Sequence, residues 1–185
     1  MFYIGLLVFF GAHLWAALAR GSRARVIDRL GAMPFKGVFS LVSLAGFALI
    51  IIGWRGADAG LLYAPPAFLR HVTYLLMLVA LVCLVAAYLP GGRIAATLKH
   101  PMLVGVKFWA LAHLLSNGEV RSVVLFGSFL AFAVIDRIAV KKRAEPTRAA
   151  GPLINDGVAI IVGAAVWAAI YFGLHPYIAG VSLRP

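Results

Sequence analysis

Carboxylates are scarce in this chain: six Asp and Glu stand against seventeen Lys and Arg in 185 residues. Cysteine is scarcer still, with Cys83 alone. One cysteine forms no intramolecular disulfide, and in an apolar run it packs as a small hydrophobe. There is no C-x-x-C-H stretch, which excludes covalent attachment of a c-type haem. Gly91-Gly92 and Gly56/Gly60 lack the spacing of a phosphate-cradling loop. The acids (Asp28, Asp58, Glu119, Asp136, Glu145, Asp156) fall mostly at the ends of apolar runs. So few carboxylates argue against a hydrolytic or carboxylate-bridged dimetal centre, and no Ser-His-Asp set stands out.

Charge of any sign is also sparse. Only 12% of residues are charged and 63% are hydrophobic, with a mean hydropathy of +0.98. A soluble domain carries about twice that charged fraction. The chain therefore reads as one integral membrane domain over residues 1–185, an all-α polytopic bundle of about six transmembrane helices. Six runs approach the ~20 apolar residues that cross a bilayer core: Phe2–Ala19, Gly37–Trp54, Leu69–Leu89, Pro101–Leu115, Val120–Val140 and Gly157–Tyr177. The fourth is short, so it either thins the bilayer or ends in the interface. Ala17-Leu18-Ala19 mimics a signal-peptide cleavage site, but no positive charge precedes the first run and five basic residues follow it. A signal peptide carries its charge on the other side, so the run is read as a retained helix.

The basic residues set the orientation. Arg20, Arg23, Arg25, Arg29 and Lys36 follow span one; Arg93 and Lys99 follow span three; Arg137, Lys141, Lys142, Arg143 and Arg148 follow span five. The opposite side holds Arg55, Arg70, Arg121 and Arg184. The positive-inside rule makes the richer side cytoplasmic and puts both termini on the other side. The expected location is the bacterial cytoplasmic (inner) membrane. The net charge of +11 then needs no nucleic acid as partner: anionic lipid headgroups suffice for these loops.

Helix punctuation is ordinary. Leu89-Pro90-Gly91-Gly92 stops span three, and Pro101 suits the first turn of span four. Ser116-Asn117-Gly118-Glu119 predicts a tight reversal, with Asn117 and Gly118 tolerating left-handed backbone. Spans four and five are then expected as antiparallel neighbours.

The chemistry rests on histidine. His13 lies inside span one and His113 in the outer half of span four, while His100 begins span four at the cytoplasmic edge. His71 and His175 flank the outer edge, where imidazole is cheap to keep. His100 before Pro101 serves a helix start as readily as chemistry. An imidazole in lipid needs partners for its nitrogens, and either an interhelical hydrogen bond or a metal or haem iron meets that need. His100 and His113 face different neighbours, about 140° apart at 100° per residue, whereas Lys107 shares the face of His100. An ionisable residue inside a membrane is a functional-site hypothesis in itself, and Asp136 is the expected counter-ion of Lys107.

Four segments carry a family resemblance: HLWAALARGSRARVIDRLG from His13, FSLVSLAG, the block HPMLVG…W…AHLLSNG, and LFGSF…DR ending at Asp136-Arg137. Over residues 4–143 the chain resembles the NnrU family of bacterial membrane proteins, which is related to zeta-carotene isomerase. In the isomerase branch the resemblance implies a non-covalent haem b with histidine axial ligands. The matching positions are His13 and His113, with His100 on a shared motif and Asp136-Arg137 resembling that branch's acidic-basic pair. No histidine stands near the end of span two or inside span five, and AHLLSNG is spelled as in the NnrU branch. That branch is associated with nitrite and nitric oxide metabolism.

Two functional classes follow. One is a haem b protein in which His13 and His113 hold the iron; as an enzyme it would be a haem-dependent cis-trans isomerase of a polyene, and its ligand a hydrophobic polyene or a nitrogen oxide. The other is a non-catalytic membrane accessory or small-anion transporter without haem, where Lys107 offers a midspan cation. Asn117 belongs to turn chemistry on either reading.

Overall fold

The computed structural model describes residues 1–143 and 149–183. Glu145, Arg148 and Arg184, used above in the counts of acids and of basic residues, lie outside them. The described chain is helical, with no β-strand and one isolated antiparallel bridge, Leu61 to Glu119. The helices are α1 Phe2–Leu18, α2 Arg20–Leu30, α3 Ala32–Gly53, α4 Leu69–Tyr88, α5 Arg93–Leu98, α6 Pro101–Leu114, α7 Val120–Lys142, α8 Leu153–Ala169 and α9 His175–Ala179. A π-helical turn, Ile170–Leu174, joins α8 to α9.

Four stretches are long and apolar enough to cross a membrane: Ala32–Gly56, Leu69–Tyr88, Val120–Lys142 and Leu153–Ala179. A fifth is added if α1 and α2, bent by 95°, are taken as one broken span. Pro101–Leu114 is apolar but shorter. The difference from six apolar runs is one of length. Seventeen residues of α1 and fourteen of α6 reach about 26 and 21 Å at 1.5 Å per residue, against a core of about 30 Å.

Two helices lie where the sequence reads as loops. α2 forms because its arginines, Ala24 and Leu30 are strong helix formers, and Ser22 Oγ donates to Ala19 O (2.8 Å) at its start. Gly31, at φ 85°, then turns the chain from α2 into α3, a backbone state that suits glycine. The short α5 ends at Lys99, the one non-glycine residue with positive φ (64°) among those described. Its N–H closes the helix on Ala95 O (2.9 Å).

The chain divides into two compact units: Met1–Ala64 with Asn117–Ala144, and Pro65–Ser116 with Glu145–Pro185. In the first, α1 packs on α3 and α7. The approach of α1 to α3 is close: a Cβ built on Gly5 would lie 2.6 Å from Ile50 N, and one on Gly46 2.8 Å from Phe9 N. Small residues let helices touch in lipid, where burial of apolar surface gives little drive. Phe2, Leu6, Phe10 and Ile50 form the buried cluster, with Phe129 and Phe132 of α7 packed against it.

The loop after α3 belongs to this unit and folds onto the start of α7. Gly118 O accepts Leu62 N (2.8 Å), and Val120 N and Arg121 N donate to Gly60 O (2.8 Å) and Asp58 O (2.9 Å). Arg121 also donates to Glu119 Oε2 (2.7 Å) and lies over the Trp54 ring, 4.9 Å from its centroid.

In the second unit α4 packs on α6 and α8, presenting buried Ala80, Cys83, Ala86 and Ala87. Polar ties span long sequence distances. Thr73 Oγ1 donates to Ala112 O (3.1 Å) and sits 2.6 Å from Ser116 Oγ. Trp167 Nε1 donates to Tyr74 O (3.0 Å). The buried carboxylate of Asp156 accepts Arg93 N and Ile94 N, both at 2.9 Å, so one side chain on α8 satisfies the start of α5. Asn155 Nδ2 donates to Gly91 O (3.2 Å) beside it.

Candidate functional site

His13 and His113 share one local construction. The Nδ1 of His13 lies 2.7 Å from Phe9 O, and the Nδ1 of His113 lies 2.8 Å from Trp109 O. A carbonyl only accepts, so each Nδ1 carries the proton, and in the neutral ring the lone pair is then on Nε2. Helical geometry makes this possible, since a side chain leans back over the turn before it. Each imidazole is thus held at Nδ1 by a carbonyl of its own helix.

Aromatic rings fix both orientations. His13 is flanked by Phe9 (centroids 4.2 Å apart), Phe39 (5.1 Å) and Phe132 (5.6 Å), drawn from α1, α3 and α7. His113 packs on Trp109 at 5.1 Å. His13 belongs to the first unit and His113 to the second. Among the described residues no cluster of three or more His, Cys, Asp or Glu has the arrangement of a metal site.

The other candidate residues fall as follows. His100 is the N-cap of α6, with Pro101 at the first helical position; its carbonyl accepts Val104 N (3.2 Å) and its N–H donates to Leu98 O (2.7 Å). That is a helix-start role. Lys107 sits half-buried in the middle of α6. Asn117 O accepts the Tyr63 hydroxyl (3.1 Å), so its backbone helps anchor the loop after α3. Asp136 on α7 is 4.0 Å from the Arg143 guanidinium, which also donates to Ala17 O (3.1 Å) near the end of α1. Within its unit, then, Asp136 has a cation at the C-cap of its own helix. Arg137 is half-buried next to it. His71 is exposed, and His175 donates from Nδ1 to Val181 O (2.7 Å).

With this geometry in view, the chain matches the protein family described as NnrU protein over residues 1–183. The chain belongs to the NnrU family. The match extends the resemblance read over residues 4–143 to α8 and α9 as well. No curated protein and no solved structure matches the chain.

Sequence reasoning passed over Asp156. It stands in the first turn of α8, where an acid ordinarily serves its own helix dipole. The only hint was the adjacent Asn155-Asp156 pair, and nothing in its spacing pointed to Gly91-Gly92 more than sixty residues away. Arg23 was counted as one of five loop cations, yet its Nε is buried and makes no hydrogen bond.

Proposed function

We propose that this NnrU-family protein is a haem b protein of the bacterial cytoplasmic membrane, with His13 and His113 as the residues that would hold the iron. One observation carries the reading: both rings donate from Nδ1 to a main-chain carbonyl four residues back, at 2.7 and 2.8 Å. Metal-ligating histidines are held in this way, with the second ring nitrogen fixed by a carbonyl or carboxylate so that the other presents its lone pair. Imidazole is a haem-iron ligand without any acidic or thiol partner, and the surroundings of His13 are apolar and aromatic, with Phe9, Phe39 and Phe132 around it. Those rings flank the imidazole of His13, and the Phe9 and Trp109 carbonyls hold each ring by its Nδ1.

When bound, haem would supply electron exchange and an iron able to bind a nitrogen oxide or a polyene double bond. The family resemblance supports nitrite and nitric oxide metabolism as the setting, with polyene isomerisation as the other. Six crossings with both termini outside the cytoplasm agree with the distribution of basic residues, α1 and α6 being the two that need a locally thinned bilayer.

The test is spectroscopic. Protein purified in detergent from haem-replete cells should show a Soret band that sharpens and shifts on reduction. His13→Ala and His113→Ala should each change that spectrum from six-coordinate low spin to five-coordinate high spin, or lose it. A colourless wild-type protein would overturn the reading, and so would spectra unmoved by both substitutions.

A further inference from the structure

A crevice of about 220 Å³ opens in the first unit between α1, α2 and α3, and its lining exposes no polar surface. Trp15, Val26, Leu30, Phe35, Phe39 and Val42 form most of its wall. Val26 and Leu30 come from α2, the helix bent 95° from α1. A helix lying across the end of a membrane span, apolar on one side and basic on the other, sits in the headgroup layer.

The arginines of α2 are not equivalent. Arg20, Arg25 and Arg29 are exposed, whereas Arg23 is half-buried. The Arg23 guanidinium lies 5.8 Å from the centroid of Phe35, which lines the crevice. Its Nε is buried without a hydrogen-bond partner. That nitrogen is enclosed by protein, which fixes the side chain; the rest of the half-buried guanidinium fork is suited to a phosphate oxygen. Charge complementarity and the apolar lining therefore describe one amphiphile. It has a hydrocarbon chain and a phosphate head.

We infer that this crevice seats an acyl chain of one anionic phospholipid, whose phosphate is held by Arg23. This goes beyond diffuse attraction of lipid to basic loops, because it assigns a single retained molecule to a single arginine. Its polar contact is with Arg23 and not with a histidine, although Phe39 is shared with the surroundings of His13.

Native mass spectrometry of the full-length protein in detergent, with dioleoyl phosphatidylglycerol as probe, tests the site. The wild type should retain one phosphatidylglycerol in preference to dioleoyl phosphatidylcholine. Arg23→Gln should weaken retention about fivefold, the effect of one cation near the headgroup layer. Val42→Trp should fill the crevice and lower retention of the chain while Arg23 remains in place. Lys141→Gln with Lys142→Gln controls for diffuse charge and should leave the retained lipid unchanged. The inference fails if phosphatidylcholine is retained equally, or if Arg23→Gln and Val42→Trp bind as the wild type does. It fails also if the lysine pair removes the lipid as readily as Arg23→Gln. Unchanged far-UV circular dichroism in each variant keeps misfolding from imitating a lost site; should Arg23→Gln unfold, Arg23→Lys must retain the preference for phosphatidylglycerol.

Discussion

The two units solve the problem of cohesion in lipid by different chemistry. The first relies on shape. Gly5 and Gly46 bring α1 and α3 to backbone contact, and phenylalanines from α1, α3 and α7 interlock around Phe10 and His13. The second relies on polar atoms carried over long sequence separations: Asp156 to the start of α5, Thr73 to Ala112, Trp167 to Tyr74. Water competes with neither device inside a bilayer, but each fails differently. Steric fit fails by excess volume, a polar tie by loss of one atom.

That contrast orders the expected effects of substitution. The largest belongs to Gly46→Leu, which drives a side chain into the Phe9 backbone; we expect a loss of about 4 kcal/mol, read by reversible unfolding in mixed micelles. Gly11→Leu is the comparison, since nothing lies within 4 Å of its Cβ direction, and it should be nearly neutral. If the two behaved alike, close fit would not be what joins α1 to α3.

Next comes the second unit. Asp156→Ala removes two charge-assisted hydrogen bonds and strands two backbone N–H groups, at roughly 3 kcal/mol. Asp156→Asn keeps an acceptor oxygen and should lose about half as much. Hydrogen exchange at Arg93 and Ile94 should accelerate in both variants, and protection that survived in Asp156→Ala would remove the carboxylate from that role.

Thr73→Val should cost about 1 kcal/mol, the usual size of one interhelical hydrogen bond in a membrane. Its effect belongs to α4 and α6 alone, so proteolytic protection of the α1–α3 pair should stay as it was. The smallest change is Arg121→Lys, which gives up the planar fork over Trp54 and the short bond to Glu119 at an exposed edge; about 0.5 kcal/mol is expected, with the loop around Leu62 loosening first. A loss as large as that of Asp156→Ala would mean that the first unit depends on polar ties after all.

Legibility in the sequence followed the same division. Apolar runs announce helices wherever hydrophobicity is unbroken, and α3, α4, α7 and α8 lie where those runs do. α2 hid because four arginines and an aspartate mask a helix former's pattern, and α5 because six residues are too few to show a period. The His13 and His113 positions were readable as intramembrane imidazoles. Their tautomers were not, since these depend on a carbonyl four residues back that every helix offers and few side chains take. The Arg23 environment needed the 95° bend at Ala19, which no residue type there dictates. The contact of Asp136 with Arg143, seven residues on at the C-cap of α7, was readable from that spacing and was not read.

The interleaved course of the chain has a consequence for how the protein is made. The first unit begins with α1 to α3 and is completed only by α7, after α4, α5 and α6 have been synthesised. On a ribosome, Phe129 and Phe132 arrive after α4, α5 and α6, to a partner in α1 and α3 made well before them. The second unit is interrupted in turn, because α8 follows α7. No single cut in the gene yields either unit whole, and α1 to α3 must persist in the bilayer, or in the care of the insertion machinery, without their third wall until α7 has been made.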